Sequence, residues 1–143
     1  MKFAERTEAS PLSQESQAAI QMPMGLLGFE QSKEFNLLAD PEEAPFAWLQ
    51  CSQGTRVSFL IVDPFIFFPD YQPDVSAEDA AFLGLSTPQD AAVFNIVTLR
   101  PGGNPTINLK GPIVINRQTR TAKQVIPSNA AVYQVQHPLP TAS

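Results

Sequence analysis

The chain has 143 residues, of which 43% are hydrophobic, 14 are proline and only 16% are charged. This composition excludes a disordered chain, because ten phenylalanines can form a core, and it disfavours a helical bundle. The net charge of −5 is unevenly distributed: residues 1–90 carry all 14 acidic and four basic residues, whereas residues 91–143 carry five basic and no acidic residues. Such a segregation favours a basic partner for the first part and an anion for the second.

Turn-forming residues divide the first third of the chain into short segments. Residues 6–19 are polar and predict a turn or a mobile connection. Residues 22–30 predict a shaped loop in which Gly25 and Gly28 are needed for the backbone conformation. Short apolar runs then predict strands at residues 35–38, 46–51 and 57–62. The turn at residues 52–55 makes the last two strands a β-hairpin.

Residues 63–73 form the most unusual stretch, which we call the aromatic loop. Three prolines exclude a regular inner strand, while four aromatic side chains need burial or a partner. We expect an ordered loop whose prolines reduce the entropy lost when a partner docks. Asp70 and Asp74 add negative charge that suits a basic partner. The alternative is that two or three of these rings fill the core beneath the loop, Phe65 and Phe67 before Tyr71.

One short helix and several strands are predicted after the aromatic loop. Ser76 as N-cap, acidic residues in the first turn and Gly84 as C-cap predict the helix between them. Strands are predicted at residues 92–99, 106–109, 113–115, 122–126 and 131–135, with turns at 101–105 and 116–119. We therefore predict a mainly β fold, a small antiparallel β-barrel-like single domain with one short helix. It would span residues 1–143, with 1–20 as its N-terminal edge and 140–143 as a tail.

Few residues of the sequence could carry catalysis. The one cysteine, Cys51, and the one histidine, His137, lie in no motif that places a partner beside them. A Cys51–His137 pair remains the catalytic alternative. The sequence contains neither a metal-ligand spacing nor a phosphate-binding glycine loop. We expect a protein that is not an enzyme and holds no cofactor and no metal.

The sequence also bears on compartment and on nucleic-acid binding. The polar first ten residues and the lack of a long apolar run predict a cytoplasmic protein, and a single cysteine fits a reducing compartment. Five basic residues after position 90 leave a small nucleic-acid-binding module as the alternative function. Against it, residues 91–143 offer only Phe94 and Tyr133 for base stacking, and the sequence pI is near 4.7.

Eight short motifs occur in order along the chain: Gly25–Glu30, Phe46–Gln50, Val62–Phe65, Phe68–Tyr71, Asn95–Thr98, Asn108–Asn116, Lys123–Ile126 and His137–Leu139. This ordered set resembles the FliW family of flagellar assembly factors over about residues 20–139. The chain departs from the family pattern at Gly111, where alanine is usual, and at Thr121–Ala122, where a glycine usually precedes the Lys-Gln-Val element. Residues 1–20 match the family's first strands poorly.

The resemblance implies a compact β protein without catalytic activity that works by partner exchange in the cytoplasm. Proteins of this family bind flagellin and, alternatively, the RNA-binding translational repressor CsrA, which they antagonise without mimicking RNA at its RNA site. Once flagellin is secreted, the freed factor captures the repressor and flagellin is translated again, which requires only competition between two complexes. We expect a monomer that contacts neither nucleic acid nor membrane directly. The expected partner-binding residues are Phe65, Phe68, Asp70, Tyr71, Asn108, Lys110 and Pro112.

Overall fold

A computed structural model describes residues 1–4, 17–52 and 57–140 of the chain. These residues fold mainly into antiparallel β structure, as predicted. The strands are β1 (Gln17–Gln21), β2 (Glu34–Ala39), β3 (Phe46–Cys51), β4 (Ser58–Val62), β5 (Ala91–Thr98), β6 (Thr106–Ile107), β7 (Ile113–Asn116), β8 (Ala122–Gln124) and β9 (His137–Pro138). The connections contain helices α1 (Pro64–Phe67) and α2 (Ala77–Leu83) and 3-10 turns at Pro41–Glu43, Pro88–Asp90 and Ala130–Val132.

The strands form one branched sheet. Seven of them lie side by side in the order β1-β2-β3-β4-β5-β6-β9, and β7 and β8 branch from β5. The branch arises because β5 has three partner strands: residues 95–97 pair with β4, residues 97–98 with β6 and residues 91–94 with β7. Between β1 and the neighbourhood of β8, the described residues form an isolated bridge from Gln21 to Thr121 and no ladder. The predicted mainly β, antiparallel fold with one short helix is confirmed; the sheet is not closed, so barrel-like describes its shape only loosely.

Two hydrophobic cores result from the strand alternation. The first core lies beneath the aromatic loop and α2, and includes Phe3, Val62, Phe65, Tyr71, Leu83, Val93, Val114 and Leu139. The second core is built by the buried faces of β1, β2 and β3 against β5 and β7, and includes Ile20, Phe35, Leu37, Leu49, Phe94 and Ile113. Because successive strand residues point to opposite faces, β5 and β7 contribute side chains to both cores.

The predicted helix is present with the predicted caps. The Ser76 hydroxyl accepts a hydrogen bond from the Asp79 N–H at 3.1 Å, and Gly84 ends α2 with a φ of +70°. The ammonium of Lys123 on β8 lies 2.5 Å from the Asp79 carboxylate and ties α2 to the sheet. This ion pair brings together the acidic and the basic parts of the chain.

The loop at residues 22–30 has the glycine conformations that we predicted. Gly25 and Gly28 have φ values of +65° and +86°. A Cβ on Gly25 would lie 2.6 Å from the Glu30 Cα, whereas a Cβ on Gly28 would meet nothing within 4 Å. Gly25 is thus required both by its backbone conformation and by close approach of the chain, and Gly28 by conformation alone.

Two predicted segments differ in the structure. Residues 17–19 belong to β1 instead of a mobile connection, because Ala18 and Ile20 alternate into the second core; residues 6–16 lie outside the described part of the chain. Residues 131–135 are not a strand: the chain makes a 3-10 turn there, and the final strand is β9. Val132 and Val135 are exposed, and Tyr133 packs on the first core from a segment that pairs with no strand.

Other predicted elements are confirmed with shifted ends. The strands predicted at residues 106–109 and 122–126 are shorter, since only β6 and β8 remain regular. β3 and β4 pair as an antiparallel hairpin, while residues 53–55 of its predicted turn fall outside the described residues. No helix in the described part of the chain is long and apolar enough to span a bilayer.

Candidate functional site

The aromatic loop is ordered, and it contains the single helical turn α1. The Asp63 carboxylate accepts a hydrogen bond from the Phe65 N–H at 3.0 Å, and Pro64 occupies the first turn, where its missing N–H costs nothing. The chain then folds back through hydrogen bonds from the Phe68 N–H to the Pro64 carbonyl (2.8 Å) and from the Tyr71 N–H to the Phe68 carbonyl (3.0 Å). The loop is therefore held by its own backbone.

Tyr71 anchors the loop in the first core. Its side chain is only 3% exposed, and its ring packs 5.9 Å from that of Phe65. The hydroxyl donates to the Leu109 carbonyl at 2.7 Å and accepts from Asn95 Nδ2 at 3.2 Å. Burial raises the pKa of Tyr71, so the hydroxyl keeps its proton and remains a donor. Tyr71 thus fastens the aromatic loop to the segment around residue 109.

Asn95, on β5, completes this connection. Its Nδ2 also donates to the Asn108 carbonyl at 2.7 Å, and the residue is fully buried. Its Oδ1 accepts no hydrogen bond from the described residues. The sequence showed Asn95 only as part of a family motif, because nothing in a strand sequence marks an amide that will lie between two loops.

The second predicted segment, residues 108–112, lies against the aromatic loop. The Asn108 side chain accepts from the Lys110 N–H at 3.0 Å, which shapes the turn, and Pro112 is buried. The Gln124 side chain donates to the Gly111 carbonyl at 3.1 Å and holds the segment against β8. The structure brings the two segments together through the buried contact between Tyr71 and Leu109.

The predicted partner-binding residues differ in exposure. Three of the seven are buried, namely Phe65, Tyr71 and Pro112. The other four reach the surface: three are half-buried (Phe68, Asn108 and Lys110) and Asp70 is exposed. A partner can reach the last four directly. The three buried side chains can act only by holding the surface in shape.

The C-terminal segment contributes residues that were not predicted for this surface. The His137 ring lies edge-on to Phe68, with 4.9 Å between centroids, and Tyr133 packs in the same manner on Tyr71 at 4.8 Å. The Tyr133 hydroxyl accepts from the Gln72 N–H at 3.2 Å. The motif match at residues 137–139 was the only sequence signal for this contact.

The structure shows no assembled catalytic or metal centre within its described residues. Cys51 is buried in the second core, whereas His137 lies on β9, and strands β4, β5 and β6 separate the two in the sheet. Within the described part of the chain, no three side chains of the metal-binding types cluster together.

Comparison with known proteins gives consistent results. The chain matches the FliW protein family over residues 4–139. It is 37% identical over 115 residues to the flagellar assembly factor FliW of Leptospira biflexa, covering 78% of this chain and 74% of that protein. The FliW protein of Moorella thermoacetica is 41% identical over 109 residues, covering 75% and 69%. A crystal structure of the flagellar assembly factor FliW superposes with a TM-score of 0.76 at 31% identity, covering 99% of this chain and 98% of that one.

Proposed function

This chain belongs to the FliW family of flagellar assembly factors, and on that premise we propose that it acts by alternately binding flagellin and a CsrA-type translational repressor in the cytoplasm. Release of flagellin for export would free the protein to capture the repressor. Since capture relieves repression of flagellin synthesis, the exchange would match translation to assembly. The protein would act as a monomer and as a binding protein instead of an enzyme.

The observation that carries this proposal is the rigid surface formed by the aromatic loop and residues 108–112. Phe68, Asp70, Asn108 and Lys110 are accessible on it. A preorganised surface of this kind loses little conformational entropy when a protein docks, which favours tight and reversible binding. Phe68 would supply the aromatic anchor that protein interfaces commonly use.

The distribution of basic residues supports a protein partner over the nucleic-acid alternative. Arg117 Nε donates to the Ala91 carbonyl at 3.1 Å, and Lys123 is paired with Asp79. Two of the five basic residues after position 90 are therefore engaged within the fold. Strong binding to phosphates needs a continuous basic surface, and a net charge of −5 opposes it.

The test is calorimetric titration of the full chain with the host's flagellin and, separately, with its CsrA-type repressor, followed by competition. We expect both to bind and each to displace the other. Binding to neither by a folded protein would refute the proposal.

Variants then locate the surface. Phe68→Ala and Asp70→Lys should raise the Kd of at least one partner tenfold or more, because an anchor or a complementary charge is lost. Glu78→Lys, an equal charge change at an exposed position on α2, should leave both affinities within twofold. If Phe68→Ala and Asp70→Lys bind as the wild type does, the partners dock elsewhere.

A further inference from the structure

The side chain of Gln124, on β8, joins two loops that are far apart in the sequence. Its Oε1 accepts a hydrogen bond from the Leu27 N–H at 3.0 Å, and its Nε2 donates to the Gly111 carbonyl at 3.1 Å. One partner is a donor and the other an acceptor, so together they fix the orientation of the amide. Gln124 therefore links residues 108–112 of the proposed surface to the loop at residues 22–30, which we call the glycine loop.

The Gln124 amide fits in this position because residue 111 is a glycine. Gly111 is buried, and a Cβ built on it would lie 2.8 Å from Gln124 Nε2 and 3.1 Å from Asn108 Nδ2. At 2.8 Å the two groups cannot both stay in place. Unlike Gly25 and Gly28, Gly111 has no positive φ, so its backbone conformation would accept alanine. Glycine is therefore required at this position for the room that it leaves beside Gln124.

The glycine loop is also held by its own hydrogen bonds. The Phe29 N–H donates to the Leu26 carbonyl at 2.7 Å, and the Gly28 N–H donates to the Glu30 carboxylate at 3.0 Å. These bonds close the loop on itself, whereas the bond from the Leu27 N–H reaches a side chain on β8. A change at residue 111 can therefore be felt at Leu27 through the amide that both contact.

We propose that Gln124 is a positioning residue for the partner surface, and that Gly111 gives its amide the room to hold the glycine loop and residues 108–112 as one rigid unit. The inference rests on the proposed function, since it assigns support for the surface on which partners would dock. The Asn108 side chain accepts from the Lys110 N–H, so both accessible residues are shaped within the segment that Gln124 holds. Such support lowers the conformational entropy that is lost on docking.

Amide exchange at Leu27, followed by NMR, tests the bridge without any partner. Gln124→Ala removes the acceptor, so we expect the Leu27 N–H to exchange at least fivefold faster. Gly111→Ala should also speed exchange there, although it lies in a different loop, because its methyl group displaces the Gln124 amide. The Phe29 N–H keeps its bond to the Leu26 carbonyl and is the internal control, with a change of less than twofold.

A double variant tests the route by which residue 111 acts. In a Gln124→Ala background, Gly111→Ala should change the exchange rate at Leu27 by less than twofold, because the side chain that it displaces is gone. A further increase as large as the one in the wild-type background would show that Gly111 acts by another route. That result would overturn the role assigned to Gly111.

Calorimetric titration tests whether the bridge serves binding. Gln124→Ala should raise the Kd of at least one of the two partners threefold or more, because residues 108–112 would then lose freedom only on docking. Gly111→Ala should act in the same direction, and since Gly111 is buried, its effect cannot come from a lost contact. Gln118→Ala, at an exposed glutamine in the turn after β7, is the matched control and should leave both affinities within twofold.

The possible results separate this inference from the proposed function. If exchange at Leu27 is unchanged in Gln124→Ala or in Gly111→Ala, the bridge is overturned, whatever the partners do. If exchange rises in both variants but both partners bind them with wild-type affinity, the positioning role is overturned. If the wild type binds neither partner, the proposed function fails, and exchange at Leu27 still decides whether the bridge exists.

Discussion

Removal of the Tyr71 hydroxyl should loosen the buried link between the aromatic loop and residues 108–112. In Tyr71→Phe the ring stays, so no cavity forms, but the 2.7 Å hydrogen bond to the Leu109 carbonyl and the 3.2 Å bond from Asn95 are lost. Asn95 keeps its bond to the Asn108 carbonyl. The main effect is therefore that the buried Leu109 carbonyl no longer receives a hydrogen bond. We expect this to lower the free energy of unfolding by about 1–3 kcal/mol.

Urea unfolding followed by circular dichroism measures this loss. For a chain of this size each kcal/mol lowers the Tm by roughly 2–4 °C, so a thermal melt provides an independent check. Tyr133→Phe is the control, because its hydroxyl accepts a hydrogen bond from the Gln72 N–H at an exposed position. We expect it to cost less than about 1 kcal/mol.

A double-mutant cycle with Asn95→Leu tests whether the two side chains act together. Their direct hydrogen bond predicts a coupling free energy of about 0.5–3 kcal/mol. A Tyr71→Phe protein within about 0.5 kcal/mol of the wild type, the range of neutral surface changes, would refute the buried link. Additive effects of the two substitutions would refute the coupling.

Three further predictions follow from the same structure. Because burial raises the pKa of Tyr71, the folded protein holds a proton that the unfolded chain releases above its ordinary pKa of about 10. The free energy of unfolding should therefore fall as the pH rises above that value in the wild type, and fall less in Tyr71→Phe. Urea titrations between about pH 9 and 11 measure this difference. Gly28→Ala should lower the free energy of unfolding by about 1–2 kcal/mol, because alanine is strained in the left-handed backbone conformation. Gly25→Ala should lose the same amount and roughly 1–3 kcal/mol more, because its Cβ would clash with the backbone at residue 30. Equal urea midpoints for the two variants would contradict this difference. Lys123→Met should lower the free energy of unfolding by about 1.5–3 kcal/mol, and the loss should shrink in an Asp79→Asn background, as measured by urea unfolding.

Strand and helix positions were predictable where local chemistry and burial agree. Apart from Asn95, β5 consists of apolar or β-branched residues, and both of its faces are covered, so its composition matches its buried position. α2 was recognisable because Ser76 and Gly84 cap it, and both requirements are local to the sequence. The chain around residues 131–135 is also apolar, but Val132 and Val135 are exposed and the segment forms no strand. Composition cannot reveal this difference, because the burial of a strand depends on residues far along the chain.

The same reasoning explains which part of the site was predictable. Proline spacing showed that the aromatic loop is ordered, and family motifs named residues 108–112 as its neighbour. The division between buried and accessible aromatic residues was not predictable, because Tyr71 is buried by its contact with Leu109, which lies 38 positions away.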